Sequence, residues 1–247
     1  MGIKKINIFG FIGSMRGKES TEYQAIMKFL NSTEWGNNNT EIVTADEVNI
    51  RTCLGCCNCF NVGICPLEGK DDMQWIKQKL LNADVIILSS PVYLHHISGA
   101  TKTFLDRISN WAHTFQLIGK RVIVCSATAT TGNEYVISYL KKAMTSFGCF
   151  VTGELTVNLM KTEEEYAEDF AELRSSLSNS FMYPNECKAT YFQQQLYYSL
   201  KNFYLQNTKV FEALYWKEHN LFNFSSYDDL LHEYLNKNKV DNYSLSL

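Results

Sequence analysis

The stretch that decides the fold is Ile3-Lys-Lys-Ile-Asn-Ile-Phe9, followed by Gly10-Phe-Ile-Gly-Ser-Met-Arg-Gly-Lys-Glu-Ser-Thr21. The first seven residues predict a β-strand, because apolar side chains alternate along them and the run ends at a glycine. Half of the next twelve are small or hydroxyl-bearing, and they predict a loop that leads into a helix over about 20–31.

This first loop has the composition of a phosphate-binding turn. A helix N-terminus presents unpaired N–H groups and the positive end of the helix dipole, and both suit a phosphate. The loop also offers hydroxyl donors and one guanidinium for charge-assisted hydrogen bonds. These candidate phosphate ligands are Ser14, Arg16, Ser20 and Thr21. An ordinary capped turn is the alternative, since the loop matches neither a Walker A motif nor a Gly-x-Gly-x-x-Gly motif.

Strand and helix patterns alternate through the first 160 residues. Short apolar, β-branched runs predict strands at 41–45, 84–90, 120–127 and about 149–159, and helical spacing predicts helices at 20–31, 71–82, 98–112 and 133–147. This alternation is typical of βαβ units. We therefore expect an α/β fold with a doubly wound five-stranded parallel sheet, helices on both faces and strand order 2-1-3-4-5. Such sheets bind ligands at the carboxyl ends of their strands.

The pattern changes after residue 160, where no strand is predicted. Thr162-Glu-Glu-Glu165 resembles a capping box that opens a helix, and further helices are expected near 188–205, 208–219 and 226–237. The sequence thus divides into a domain at 1–160 and a helical C-terminal extension at 161–247. The extension is rich in aromatic residues that must be covered, so we interpret it as a lid or an oligomer contact.

Two later loops should meet the first loop at one edge of the sheet. Residues 89–96 follow the third strand, and the Thr-rich residues 126–132 follow the fourth. Three loops at one edge favour a mononucleotide over a bare phosphate. His95 and His96 in the second loop are interpreted as solvated side chains rather than acid–base groups.

Composition excludes several classes of function. The 247 residues carry a net charge of −3 with no basic block, which argues against a nucleic-acid partner. The sequence contains no run of eighteen apolar residues, so no membrane span is predicted. The N-terminal stretch is too short and alternating for a secretory signal, so a reducing, cytoplasmic location is expected. In that setting the 8 cysteines indicate metal, cofactor or redox chemistry before disulfides.

Five of the 8 cysteines fall between residues 53 and 65, inside a Cys-rich loop at 51–66. Cys53, Cys56, Cys59 and Cys65 form the pattern C-x2-C-x2-C-x5-C, and Cys57 is an additional thiol. Compact runs of four cysteines are typical of iron–sulfur sites. A zinc site and metal-free redox thiols remain open. The isolated Cys125, Cys149 and Cys187 are expected to be small buried residues.

Together these motifs resemble a known family over about residues 1–155. The segments that carry the resemblance are Gly13-Ser-Met-Arg16 with Ser20-Thr21, the cysteine run with Asp71-Asp-Met73, Ser90-Pro-Val-Tyr93, and Ser98-Gly-Ala-Thr-Lys-Thr-Phe-Leu-Asp-Arg107. The family is the iron–sulfur flavoprotein branch of the flavodoxin-like, NADPH-dependent FMN reductase superfamily. One departure is Glu19, which stands where the family usually has glycine. A carboxylate there would repel phosphate unless it points to solvent.

The resemblance implies FMN as the cofactor, with its phosphate on the first loop. It implies ring contacts from Pro91, Val92, Tyr93, Leu94, Thr128 and Thr130, and a [4Fe-4S] cluster on Cys53, Cys56, Cys59 and Cys65. Electrons would pass from NAD(P)H or another donor through FMN and the cluster to a small-molecule or ferredoxin-like partner. A homo-dimer or tetramer is implied as well. Two alternatives stay open: an FMN-dependent NAD(P)H reductase of quinones or other small molecules without a cluster, and a non-enzymatic electron carrier or redox sensor.

Overall fold

The computed structural model describes residues 5–32, 38–158 and 160–237, and these fold around a five-stranded parallel sheet. The strands are β1 (Asn7–Ile12), β2 (Asn39–Thr44), β3 (Val85–Pro91), β4 (Arg121–Thr128) and β5 (Phe150–Asn158). Their order is β2-β1-β3-β4-β5, so the predicted doubly wound fold is confirmed. Residues 3 and 4 of the first predicted strand lie outside the described residues.

The central strands are buried because helices cover both faces of the sheet. The helices are α1 (Thr21–Asn31), α2 (Asn58–Asn61), α3 (Met73–Asn82), α4 (Gly99–Asp106), α5 (Trp111–Thr114), α6 (Asn133–Ser146), α7 (Glu163–Met182), α8 (Tyr191–Gln206), α9 (Phe211–Glu218) and α10 (Tyr227–Lys237). One apolar core joins α3, α4 and α6 to the sheet, and a second joins α1 and α7 to the opposite face.

Helix α7 packs directly on the sheet. Its Phe170, Leu173 and Leu177 share a core with Phe29 of α1. The predicted capping box is confirmed, because the Thr162 hydroxyl accepts from the Glu165 N–H at 3.2 Å and the Glu165 carboxylate accepts from the Thr162 N–H at 2.7 Å. The division of the chain at residue 160 stays a prediction.

The helix predicted over 98–112 is interrupted. Helix α4 ends at Asp106, and tight turns with i→i+3 hydrogen bonds lead to α5. At the break, the Arg107 side chain enters a buried ion pair, and Ser109 and Asn110 favour helices only weakly. Helix α3 also starts later than predicted, at Met73, because the preceding Asp71 and Asp72 carboxylates accept hydrogen bonds from the backbone of residues 49 and 51.

The extension beyond α7 buries part of its aromatic residues within the chain, whereas Tyr191 and Phe203 stay exposed. Tyr197, Trp216 and Tyr227 are fully buried and pack with Phe115, which follows α5. The Tyr227 hydroxyl donates to the Gly148 carbonyl at 3.0 Å, which joins the extension to the end of α6. None of the described helices is long and apolar enough to cross a bilayer.

Candidate functional site

The first loop turns tightly between β1 and α1. Gly17 has φ +58°, and a Cβ atom there would lie 2.4 Å from a carboxylate oxygen of Asp46, so this position requires glycine. The Ser20 hydroxyl caps α1 by accepting from the Tyr23 N–H at 3.4 Å. The Ser14 hydroxyl accepts from the Arg16 N–H at 3.3 Å. The loop therefore holds its shape while the guanidinium of Arg16 stays exposed.

A cavity of about 410 Å³ opens at the carboxyl ends of β1, β3 and β4. Eight of the ten residues predicted to bind the cofactor line it: Ser14, Arg16, Thr21, Pro91, Val92, Tyr93, Thr128 and Thr130. Its volume lies in the range of ordinary small-molecule sites. Ser20 and Leu94 do not line this cavity, and their predicted roles stay predictions. Glu19 is exposed and is absent from the lining as well.

Leu94 lies at the tip of a two-residue hairpin turn beside the cavity. The N–H of Tyr93 donates to the carbonyl of His96 at 2.9 Å, and the N–H of His96 donates back at 3.1 Å. Leu94 and His95 both have positive φ, +49° and +60°, which defines a type I′ turn without the usual Asn-Gly. Leu94 is 96% exposed, so the turn holds a strained apolar residue at the rim of the cavity.

The third loop is held by its own threonines. The Thr128 hydroxyl donates to the Thr131 carbonyl at 2.9 Å and accepts from the Thr130 N–H at 3.2 Å. Gly132, with φ +101°, lies against Val92 and His95, and a Cβ atom there would come within 2.8 Å of the Val92 side chain. The second and third loops therefore pack together along one side of the cavity.

Glu22 is a cavity-lining residue that the sequence analysis missed. It is 2% exposed, and among the described residues its Oε1 atom has no hydrogen-bond partner. The Thr21 hydroxyl donates weakly to Oε2 at 3.4 Å. Burial raises the pKa of the Glu22 carboxyl above its ordinary value. The helix pattern held a signal for it, because Glu22 occupies the same face of α1 as the buried Ala25, Ile26 and Phe29.

A larger open groove, of about 700 Å³, lies beside β5. None of the predicted site residues lines it. Its two lysines are engaged with carboxylates, Lys141 with Glu154 and Lys161 with Asp169. Among the described residues that line it, this groove therefore offers no free cation for an anionic ligand, and the smaller cavity is the better candidate site.

The cysteine loop (residues 51–66) leaves the same edge of the sheet, after β2. Cys53, Cys56 and Cys57 are exposed, Cys59 and Cys65 are partly buried, and all 8 thiols of the chain are free. Burial raises the pKa of the Cys59 thiol, and the charges of Cys65, Cys53 and Cys56 raise it further. These four side chains are therefore electrostatic neighbours. Within the described ranges, no three His, Cys, Asp or Glu side chains are arranged to hold a single metal ion.

A buried ion pair anchors the start of this loop. Arg107 pairs with Asp71 and donates to the carbonyl of Arg51 at 2.8 Å, and Asp71 accepts from the N–H of Arg51 at 2.9 Å. Burial alone would raise the pKa of Asp71, but the hydrogen bonds from Arg107 and the backbone outweigh it and hold the pKa below its usual value. Arg107 also interacts with the Cys65 side chain.

The three isolated cysteines are buried, as predicted. Burial raises the pKa of Cys125 and of Cys149 far above the ordinary thiol value, which leaves both protonated and inert.

The five-stranded parallel sheet, with a ligand cavity at the carboxyl ends of its strands, defines a flavodoxin-like α/β domain. A model of the NADPH-dependent FMN reductase family matches residues 6–164, and the chain belongs to that family. Helices α8 to α10 lie outside the matched part.

Individual relatives agree with the predicted iron–sulfur flavoprotein branch. An iron–sulfur flavoprotein of Archaeoglobus fulgidus is 31% identical over 147 residues, which cover 58% of this chain and 64% of the relative. An iron–sulfur flavoprotein of Clostridioides difficile is 26% identical over 137 residues, 56% of this chain and 60% of the relative. The chain thus matches less than two thirds of the length of either relative.

A solved NADH:FMN oxidoreductase (EMOB, apo form) shares the fold. It superposes with a TM-score of 0.54 at 17% identity, over 70% of this chain and 90% of that one.

Proposed function

We propose that this protein is an FMN-dependent oxidoreductase that passes electrons between NAD(P)H or another donor and a redox partner, through FMN and a [4Fe-4S] cluster. The observation that carries the proposal is the common position of two sites. The cavity and the cysteine loop both lie at the carboxyl edge of one parallel sheet, where this fold binds its ligands.

The residues of the cavity fit FMN. Arg16, Thr21 and the N-terminus of α1 offer one guanidinium, one hydroxyl and free N–H groups for a phosphate. Pro91 and Val92 offer aliphatic surface for a flat ring, and Tyr93 stands half exposed at the mouth. The buried Oε1 atom of Glu22, which has no hydrogen-bond partner among the described residues, suits a hydroxyl donor of the ribityl chain. When bound, FMN supplies hydride acceptance and single-electron transfer.

The cysteine loop offers the donor set of an iron–sulfur cluster. We propose Cys53, Cys56, Cys59 and Cys65 as its ligands, because four thiolates are the usual ligands of [4Fe-4S] clusters. A four-iron cluster is larger than one ion, so its thiolates stand farther apart than the ligands of a single metal. Cys53, Cys56 and Cys65 all influence the pKa of the Cys59 thiol, so the four side chains are electrostatic neighbours. Arg107 offsets thiolate charge through its contact with Cys65.

Anaerobic purification tests both cofactors. We expect flavin absorbance from one FMN per chain, and about four iron and four sulfide per chain. Cys56→Ala should lose the iron and keep the FMN. The neighbouring Cys57→Ala is the matched control and should keep both. Absence of flavin would remove the proposal, and unchanged iron in the Cys56→Ala variant would remove the ligand assignment.

A second candidate is a cluster-free FMN-dependent reductase of quinones or other small molecules. An FMN-dependent NADH:quinone oxidoreductase of Xanthomonas axonopodis pv. citri, 33% identical over 86 residues, supports this candidate. Iron and sulfide analysis of the anaerobic protein separates the two, because this candidate binds FMN without iron. Rapid mixing with NADPH separates both from a non-enzymatic electron carrier, whose flavin would bleach slowly or not at all.

We further propose a small-molecule or ferredoxin-like partner and a homo-dimeric or tetrameric assembly.

A further inference from the structure

We propose that the C-terminal extension positions the cysteine loop, and that Phe211, the first residue of α9, is the positioning residue for the segment from Cys59 to Cys65. This inference rests on the cluster proposed above, since it concerns the loop that would bind it. It gives a role to the part of the chain that lies beyond the family match.

The main contact joins Phe211 to Gly63. The glycine has φ +77°, and a Cβ atom built on it would lie 2.3 Å from a carbon of the Phe211 ring. The ring therefore rests directly on the backbone of the loop, in space that only a glycine leaves open. Gly63 lies two residues before Cys65 and four after Cys59, so the contact falls between two of the proposed ligands.

A second contact runs beside the first. The ring of Phe60, in α2 of the cysteine loop, packs against the ring of His113 in α5 with centroids 5.0 Å apart. The Nδ1 atom of His113 lies 3.4 Å from the carboxylate of Glu212, which follows Phe211 in α9 and is buried. The loop thus meets α9 directly at Gly63 and through α5 at Phe60.

Helix α9 is a rigid support. Trp216 is fully buried, and its ring centroid lies 5.4 Å from those of Tyr197 and Tyr204. Its indole N–H donates to the His113 carbonyl at 2.8 Å, which ties α9 to α5. A buried aromatic cluster of this kind has little freedom to shift.

The cysteine loop, by contrast, has few internal restraints. Its regular hydrogen bonds are those of the one-turn helix α2, where the amides of Phe60, Asn61 and Val62 donate to Cys57 and Asn58. The Asn58 side chain also donates to the Ile64 carbonyl at 2.9 Å. A segment with so few restraints opens easily unless another element holds it. We infer that α9 is that element.

Two substitutions of Phe211 and one control test the role. Phe211→Ala removes the ring, and Phe211→Leu keeps apolar bulk at the same position. Leu214→Ala is the matched control, because Leu214 lies on the outer face of the same helix and is 54% exposed. The first measurement is hydrogen exchange of the amides of residues 60–62 in the cluster-free protein. The second is the rate of iron loss to a chelator from the cluster-loaded protein.

We expect about tenfold faster exchange in Phe211→Ala, on the scale set by losing a half-buried aromatic contact. Phe211→Leu should recover most of the protection, and Leu214→Ala should match the wild type. Iron loss should follow the same order with FMN content unchanged. The proposal would be overturned if these amides exchanged in Phe211→Ala at the wild-type rate. It would also be overturned if exchange became equally fast throughout α8 and α10. A wild-type protein that binds no iron would overturn the proposed function, while the exchange result would still decide the positioning role.

Discussion

Arg107 and Asp71 form an ion pair in which neither side chain has any exposed surface, at the point where the cysteine loop begins. The Arg107 Nη2 atom donates to Asp71 Oδ1 at 3.3 Å, and both residues hydrogen-bond to the backbone of Arg51. The pair therefore joins the end of α4, the start of α3 and the start of the loop. It provides the loop's first anchor, and Phe211 provides the second.

Arg107→Gln should destabilise the protein strongly. It leaves the Asp71 carboxylate buried without its cation, and breaking such a pair from one side costs about 3–5 kcal/mol in the free energy of unfolding. Urea unfolding measures this loss. The half-exposed pair of Lys79 with Glu41 provides the control, and Lys79→Gln should cost less than about 1 kcal/mol. Equal losses in the two variants would contradict the structural role given to Arg107.

Arg16→Ala should weaken FMN binding by about 10- to 100-fold, because a charge-assisted hydrogen bond to phosphate contributes roughly 1.5–3 kcal/mol. Binding of riboflavin, which lacks the phosphate, should change little. Flavin fluorescence titration measures both dissociation constants. Lys18→Ala is the control, because Lys18 carries the same charge in the same loop but pairs with Glu47 at 2.6 Å and does not line the cavity. An equal effect of the two substitutions would argue against a specific contact from Arg16.

Glu22→Gln should remove a pH dependence of stability. Burial raises the pKa of the Glu22 carboxyl above its ordinary 4.5 in the folded protein. The folded state thus binds this proton more tightly than the unfolded state does. The stabilisation that results is complete below pH 4.5 and is lost as the pH rises through the folded pKa. The variant should match the wild type near pH 4 and exceed its free energy of unfolding by about 1 kcal/mol at pH 7.

Chemical denaturation at several pH values measures this difference. Glu19→Gln, at an exposed position of the same loop, should show no such trend. The burial argument predicts that the wild type loses free energy of unfolding relative to Glu22→Gln between pH 5 and 7. A gain over that range would contradict it.

The double substitution Leu94→Asn with His95→Gly should stabilise the protein by about 1 kcal/mol. Both residues adopt positive φ, and Asn-Gly is the preferred pair for a type I′ turn. Urea unfolding measures the gain. Leu214→Asn, which also removes an exposed leucine but from a helix, should instead cost a few tenths of a kcal/mol. A loss of stability in the double variant would mean that the turn is held by contacts stronger than its backbone strain.

The sheet and most of the cavity could be predicted from local patterns. The apolar runs of β3 and β4 are buried on both faces and leave a direct trace in the sequence, and parallel topology then brings the three loops to one edge. The break after α4 has only a weak local signal in Ser109 and Asn110, because its other cause is the pairing of Arg107 with Asp71, 36 residues earlier. The contact of Phe211 with Gly63 spans a still longer separation and has no local signature.

Within the site, two residues combine features that point to different uses. Ser20 is a hydroxyl in a phosphate-like loop, but it caps α1 and is buried away from the cavity lining. Glu22 has the charge of a surface residue but the helix position of a core residue, and only the helical periodicity indicates its burial.

A crystal structure of the protein with FMN tests the central claim most directly. We predict the phosphate within hydrogen-bonding distance of Arg16 and Thr21 at the N-terminus of α1, and the ring beside Pro91, Val92 and Tyr93. Crystals that leave this cavity empty at saturating FMN, or that hold FMN in the groove beside β5, would contradict the account.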